Sequence, residues 1–111
     1  MDSTNLYSID SVSALLFPVF KRYNVRKAIL FGSIAKGTAN ASSDLDVLVD
    51  SNLRGLRFVG LLEDLQEAVH MDVDLLDVTH IQKGSSVAAE IQKTGVVIYT
   101  AGRSVHAEFS K

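Results

Sequence analysis

Residues 31 to 46 read Phe-Gly-Ser-Ile-Ala-Lys-Gly-Thr-Ala-Asn-Ala-Ser-Ser-Asp-Leu-Asp, and this stretch limits the possible folds more than any other. It is entered from Ala28-Ile29-Leu30-Phe31, a short apolar run that suits a buried strand. It is left through Asp44 to Asp50, where Leu45, Val47 and Val49 alternate with other residues as in the next strand. Two strands are thus joined by a loop rich in Gly, Ser, Thr, Ala and Asn, with room for a helical turn. Gly32 lets the backbone approach a ligand with no Cβ in the way, and Ser33 adds a hydroxyl beside the amides that follow, so the turn can cradle phosphates. It is not a Walker A loop, because Thr38 follows Gly37 where that motif needs lysine.

The rest of the chain alternates between helical and strand periodicity. Ile9, Val12, Leu15, Leu16, Val19, Phe20 and Tyr23 recur at helical spacing, with Ser8 or Asp10 as N-cap and a break or kink expected near Pro18. Arg57 to His70 puts Phe58, Leu61, Leu62, Leu65 and Val69 on one stripe and Glu63, Asp64 and Glu67 on a solvated one. Asp72 to Asp77 predicts a third strand, Ile81 to Lys93 a helix closed by Gly95, and Val96 to Thr100 a fourth strand. The order αβ(α)βαβαβ is an α/β (α+β) layer architecture. At 111 residues, 47% of them hydrophobic, the chain suits a single domain over 1–111, with its core between about 8 and 100. Residues 101–111 show no clear periodicity and read as an exposed tail or a partner contact.

The net charge of −2 hides a segregation: nine acids face only Arg54 and Arg57 between residues 43 and 77. The absence of cysteine removes disulfides, zinc ribbons and thiol nucleophiles. Overall near-neutrality gives no general affinity for nucleic acid or for anionic lipid. No apolar run approaches a membrane span and no secretory signal is evident, so a cytoplasmic location is expected. His70, His80 and His106 lack ligand spacing, and Tyr7, Tyr23 and Tyr99 read as core or interface residues. Asp50 and Asp77, at strand ends, suit turn or cap roles.

Asp44 and Asp46 are different, because strand alternation puts both on one face, roughly 6 to 7 Å apart, where they can converge on a hard cation such as magnesium. Asp74 lies on the following strand with a compatible parity, and Asp72, on the same face, competes with it. Three carboxylates beside a phosphate cradle have the composition of a two-metal phosphoryl or nucleotidyl transfer site.

The Gly32-Ser33 turn, the Asp44-x-Asp46 pair at its spacing, and Val73-Asp74-Leu75-Leu76 together resemble the nucleotidyltransferase superfamily of DNA polymerase β. They look closest to its minimal nucleotidyltransferase (MNT) branch, whose members often accompany HEPN-domain partners in toxin–antitoxin pairs. The likeness spans about residues 8 to 100. It implies a polymerase β-like fold, a small mixed sheet flanked by helices. It also implies Gly32 and Ser33 at the triphosphate, Asp44 and Asp46 on two Mg2+ ions, and Asp74 as the third carboxylate that prepares the acceptor hydroxyl. Lys36 stands where many MNT sequences have arginine before the glycine; it keeps the charge for the nucleotide and loses the bidentate fork. A solvated loop lysine is the simple alternative. The implied activity moves AMP from ATP to a hydroxyl, with a tyrosine of a HEPN toxin as acceptor and an antitoxin role for this chain. The other reading is a non-catalytic module that binds nucleotide or partner and neutralises by masking. The oligomeric state, a homo-oligomer included, is left open.

Overall fold

The computed structural model describes residues 8–32, 35, 44–100 and 103–104. Helix α1 (Ile9–Arg22) begins at Ser8, whose hydroxyl accepts from the Ser11 amide at 3.1 Å. Asp10 in its first turn and Lys21 and Arg22 in its last complement the helix dipole. The helix runs unbroken through Pro18, contrary to the expected break. Pro18 and Ala14 both lie on the exposed side, so the carbonyl left without a partner can be hydrated. Burial of Val12, Leu16, Val19 and Phe20 holds the opposite side.

Strand β1 (Lys27–Phe31) is the centre of a mixed sheet with order β3-β2-β1-β4-β5. It pairs antiparallel with β2 (Leu45–Asp50), from Lys27↔Asp50 to Phe31↔Asp46, and antiparallel with β4 (Val96–Thr100), with an irregularity at Ala28/Ile29. β2 pairs in parallel with β3 (Val73–Asp77), in the register Leu45↔Val73, Asp46↔Asp74. β5 (Arg103–Ser104) adds a short edge to β4, so two residues of the expected tail belong to the sheet. Residues 105–111, with His106, and residues 1–7, with Tyr7, lie outside the described residues, as does the expected helical turn between Gly32 and Asp44 apart from residue 35.

Alternation sorts the strands. Ala28, Leu30, Leu45, Val47, Val49, Val73 and Leu75 point into a core shared with α1 and with α2 (Leu56–Val69), whose Leu61 and Leu65 are fully buried. Tyr99 packs against Phe17 and Phe20 of α1, with ring centroids 5.7 and 5.2 Å apart. Asp64, read from the sequence as part of a solvated face, ties α2 to α1 instead: it accepts from the Tyr23 hydroxyl at 2.7 Å and pairs with Arg22 at 3.1 Å. The Tyr23 hydrogen bond holds the Asp64 carboxyl below the usual carboxylate range, and the same bond pushes the Tyr23 phenol up.

The last helix is shorter than expected. A 3-10 turn at Val78–His80 follows β3, Gly84 takes a left-handed φ of 81°, and Ser85 then caps α3 (Ser86–Thr94) by accepting from the Ala88 amide at 3.1 Å. The stop at Gly95 is as expected. Of residues 81–84 only Ile81 is apolar and none caps a helix, so the cap at Ser85 decides where the helix starts.

Asp77 is a structural carboxylate, only 3% exposed. It accepts from the amide and hydroxyl of Ser51, at 3.0 and 2.7 Å, and from the amide and hydroxyl of Thr79, at 3.1 and 2.9 Å. The Asp77 amide donates to His80 Nδ1 at 3.1 Å, completing a capping box. Burial raises the Asp77 carboxyl, but the hydrogen bonds from Ser51 and Thr79 outweigh it and leave the group below its usual value. The cap role expected for it is thus the one it has.

Candidate active site

Strand directions decide where the acids meet. β1 ends where antiparallel β2 begins, and β3 starts beside β2, so Gly32, Asp44, Asp46 and Asp74 gather at one end of the sheet. Asp46 is opposite Phe31 on one side and Asp74 on the other. Its side chain leaves the sheet on the face away from α1 and α2, because its neighbours Leu45 and Val47 take the core face. Asp72 precedes β3, and its carbonyl accepts from the Leu45 amide at 2.9 Å. The register therefore puts Asp74, rather than Asp72, beside Asp46.

Gly32 has φ +79°, a conformation that strains residues with a Cβ, and a Cβ built there would collide with the Asp46 carboxylate. The turn and the acid are in direct contact, which neither residue's place in the sequence reveals. Half-buried Asp46 is correspondingly uncomfortable. Burial first, then the charges of Asp74, Asp44 and Glu90, push its carboxyl up to about 6. A cation among these groups would relieve both the repulsion and the desolvation.

Glu90 and Thr94 were missed by sequence reasoning. Both come from α3, one turn apart: Glu90 adds its charge near Asp46, and the Thr94 hydroxyl accepts the Gly32 amide at 3.0 Å. Their i, i+4 spacing at the end of a helix that leads into a neighbour of β1 was the available signal, but the pairing of β4 with β1 had to be known to read it. Ser33 and Lys36 lie outside the described residues.

Among the described residues, no three His, Asp or Glu side chains close into a ready metal cage. The donor set nevertheless suits a magnesium ion, which commonly takes one or two carboxylates and completes its shell from water and substrate phosphates. At the opposite end of the sheet, a cleft of about 350 Å3 is lined by Asn52, Arg54, Phe58, Asp77 and His80. Its buried acid, Asp77, is fully engaged in holding the strand ends together, so that cleft lacks a comparable carboxylate cluster. No described helix is long and apolar enough to cross a membrane.

A mixed sheet with a glycine turn at the end of its central strand, facing acids at the start of the next, defines the nucleotidyltransferase class of α/β proteins. The Polymerase beta, Nucleotidyltransferase family model matches residues 16–104, and the chain belongs to that family. A Methanocaldococcus jannaschii protein named as a candidate protein adenylyltransferase is 30% identical over 71 residues, covering 62% of this chain and 76% of that protein. The fold is shared with a toxin–antitoxin crystal structure containing AMP-PNP, at TM-score 0.65 and 24% identity, over 79% of this chain and 73% of the other. It is shared too with a complex of tri-AMPylated Shewanella oneidensis HEPN toxin and MNT antitoxin, at TM-score 0.58 and 20% identity, over 80% and 70% of the two chains. The polymerase β-like fold expected from the Gly-Ser and Asp-x-Asp segments is thus the fold observed.

Proposed function

We propose that this nucleotidyltransferase moves AMP from ATP to a tyrosine hydroxyl of a HEPN-type partner protein and neutralises that partner by the modification. The observation that carries the reading is the contact of Asp46 with the Gly32 turn, with Asp74 in register beside it and the charge of Asp44 close by. A glycine turn held against a set of carboxylates suits a substrate that is both phosphorylated and metal-bound. The comparisons support the same choice, since they include a protein named as a candidate protein adenylyltransferase and a complex of MNT antitoxin with an AMPylated HEPN toxin.

In this reading Gly32 and Ser33 receive the triphosphate and Lys36 adds a point charge to it. Asp44, Asp46 and Asp74 are the residues that would hold two Mg2+ ions. Bound there, magnesium neutralises phosphate charge and lowers the pKa of the acceptor hydroxyl. Asp74, the exposed partner of half-buried Asp46, faces the incoming acceptor and draws off its proton. The acceptor oxygen bonds to the α-phosphorus in line, the bond from that phosphorus to the bridging oxygen breaks, and pyrophosphate leaves. Most of the rate comes from positioning and charge neutralisation.

Incubation with ATP labelled at the α-phosphate, magnesium and a HEPN partner tests this. Label is expected on the partner with wild type and not with Asp46→Asn. No label with either protein, while the partner is still neutralised, overturns transfer in favour of masking.

A further inference from the structure

Thr94 ends α3, and its hydroxyl occupies an unusual position between the two halves of the site. It accepts the amide hydrogen of Gly32 at 3.0 Å, from 62 residues away. Its own hydrogen returns to the Glu90 carbonyl, also at 3.0 Å, with the Glu90 carboxylate oxygen at 3.4 Å. A threonine bonding back to the carbonyl four residues earlier is ordinary at a helix end and needs no function. Spending the remaining lone pair on the amide of a left-handed glycine at a sheet end is not ordinary.

Two consequences follow. First, the Gly32 amide is already satisfied, so it is not a phosphate donor in this arrangement. Second, the orientation of the Gly32 peptide is set by α3 rather than by a ligand. Gly32 has no side chain with which to fix itself, and on its other side it abuts the Asp46 carboxylate. Gly32 is therefore held between Thr94 on one side and Asp46 on the other.

We propose that Thr94 is a positioning residue for the triphosphate, holding Gly32 through its amide so that the Gly32 peptide is oriented before nucleotide arrives. The inference rests on the nucleotidyl-transfer reading and adds to it a residue outside the Gly-Ser and Asp-x-Asp segments. Preorganising a turn removes an ordering cost from binding, so its loss weakens affinity rather than abolishing chemistry.

The test compares wild type, Thr94→Val and Thr94→Ser. Valine keeps the branched shape without the hydroxyl, and serine restores the hydroxyl without the methyl. Three quantities are measured: the thermal midpoint, amide exchange at Gly32, and the Kd of a non-hydrolysable ATP analogue with magnesium by calorimetry. In T94V, Gly32 exchange is expected to accelerate by about tenfold or more and the Kd to rise about fivefold, the size of one neutral hydrogen bond. T94S should restore both, which a packing role for the methyl group would not allow. Thr94→Ala repeats the comparison with a cavity in place of the methyl, in case valine disturbs the helix end.

Unchanged Gly32 exchange in T94V overturns the contact. Faster exchange with an unchanged or lower Kd overturns the positioning role, since the freed amide then serves the phosphate equally well. Wild type that binds no analogue while its Gly32 amide stays protected overturns the nucleotide reading and this role with it, and that failure is visible in wild type rather than in the variants.

Discussion

Asp46 and Gly32 show how much depends on single residues. Because the Asp46 carboxyl is raised from 3.8 to about 6, its ionisation works against the folded, metal-free protein: the unfolded chain ionises near pH 4, the folded one only near pH 6. Stability is therefore expected to fall as pH rises through about 4 to 6 and to stay lower above that window. Asp46→Asn removes this slope. Thermal melts in EDTA should show the variant more stable than wild type at pH 7, by about 1 kcal/mol after allowance for solvent screening, and level with it at pH 4. A variant less stable at pH 7 would mean that Asp46 is held by contacts rather than strained by its neighbours. Gly32→Ala should act in the opposite direction, losing about 1–3 kcal/mol to the positive φ and further stability to the collision with Asp46, read as a lower melting point and lost nucleotide affinity. Both residues were legible in the sequence as members of motifs. Their contact was not, because it arises from the antiparallel register that sets the end of β1 against the start of β2.

At the scale of elements, the informative cases are those in which the hydrophobic pattern was right and the boundary or the role was not. The stripe of α2 was readable from Phe58, Leu61, Leu62, Leu65 and Val69, but the role of Asp64 depended on α1 presenting Tyr23 and Arg22 to it, which no local pattern encodes. The start of α3 moved from Ile81 to Ser86 because a serine cap and a left-handed glycine intervene. Asp77 couples the ends of β2 and β3 and the turn after them with four accepted hydrogen bonds. Asp77→Ala leaves the Ser51 and Thr79 amides short of a partner and should cost about 2–3 kcal/mol in urea unfolding at pH 7. The pH signature is opposite to that of Asp46. The folded Asp77 carboxyl lies below 3.8, so its stabilisation is present above that value and is lost as pH falls through the lower folded pKa. The gap between wild type and variant should accordingly narrow in strong acid, and a gap independent of pH would assign the loss to packing alone.

For the whole molecule, the central run of acids divides: Asp64 and Asp77 hold elements together, while Asp44, Asp46 and Asp74 gather at one end of the sheet. A ligand that binds only the folded state raises its melting point by mass action. A magnesium complex of an ATP analogue at a hundredfold excess over its Kd should therefore raise the melting point of wild type by on the order of 10 °C and leave that of Asp46→Asn nearly unmoved. An equal rise in both proteins would place nucleotide binding away from the acids. By itself, the sequence determined the class of fold, the glycine at the end of the first strand and the Asp44-x-Asp46 pair as candidates, with Asp72 and Asp74 as alternatives for a third acid, because period-two and period-3.6 patterns, glycine and carboxylates carry their physical meaning locally. Only the tertiary structure decided that Asp74 rather than Asp72 lies beside Asp46, that Asp64 is spent on holding α2 to the end of α1, and that Glu90 and Thr94 of α3 come near Asp46 and Gly32. Those assignments depend on strand direction and register, which set the partners of a side chain from residues far away in the chain.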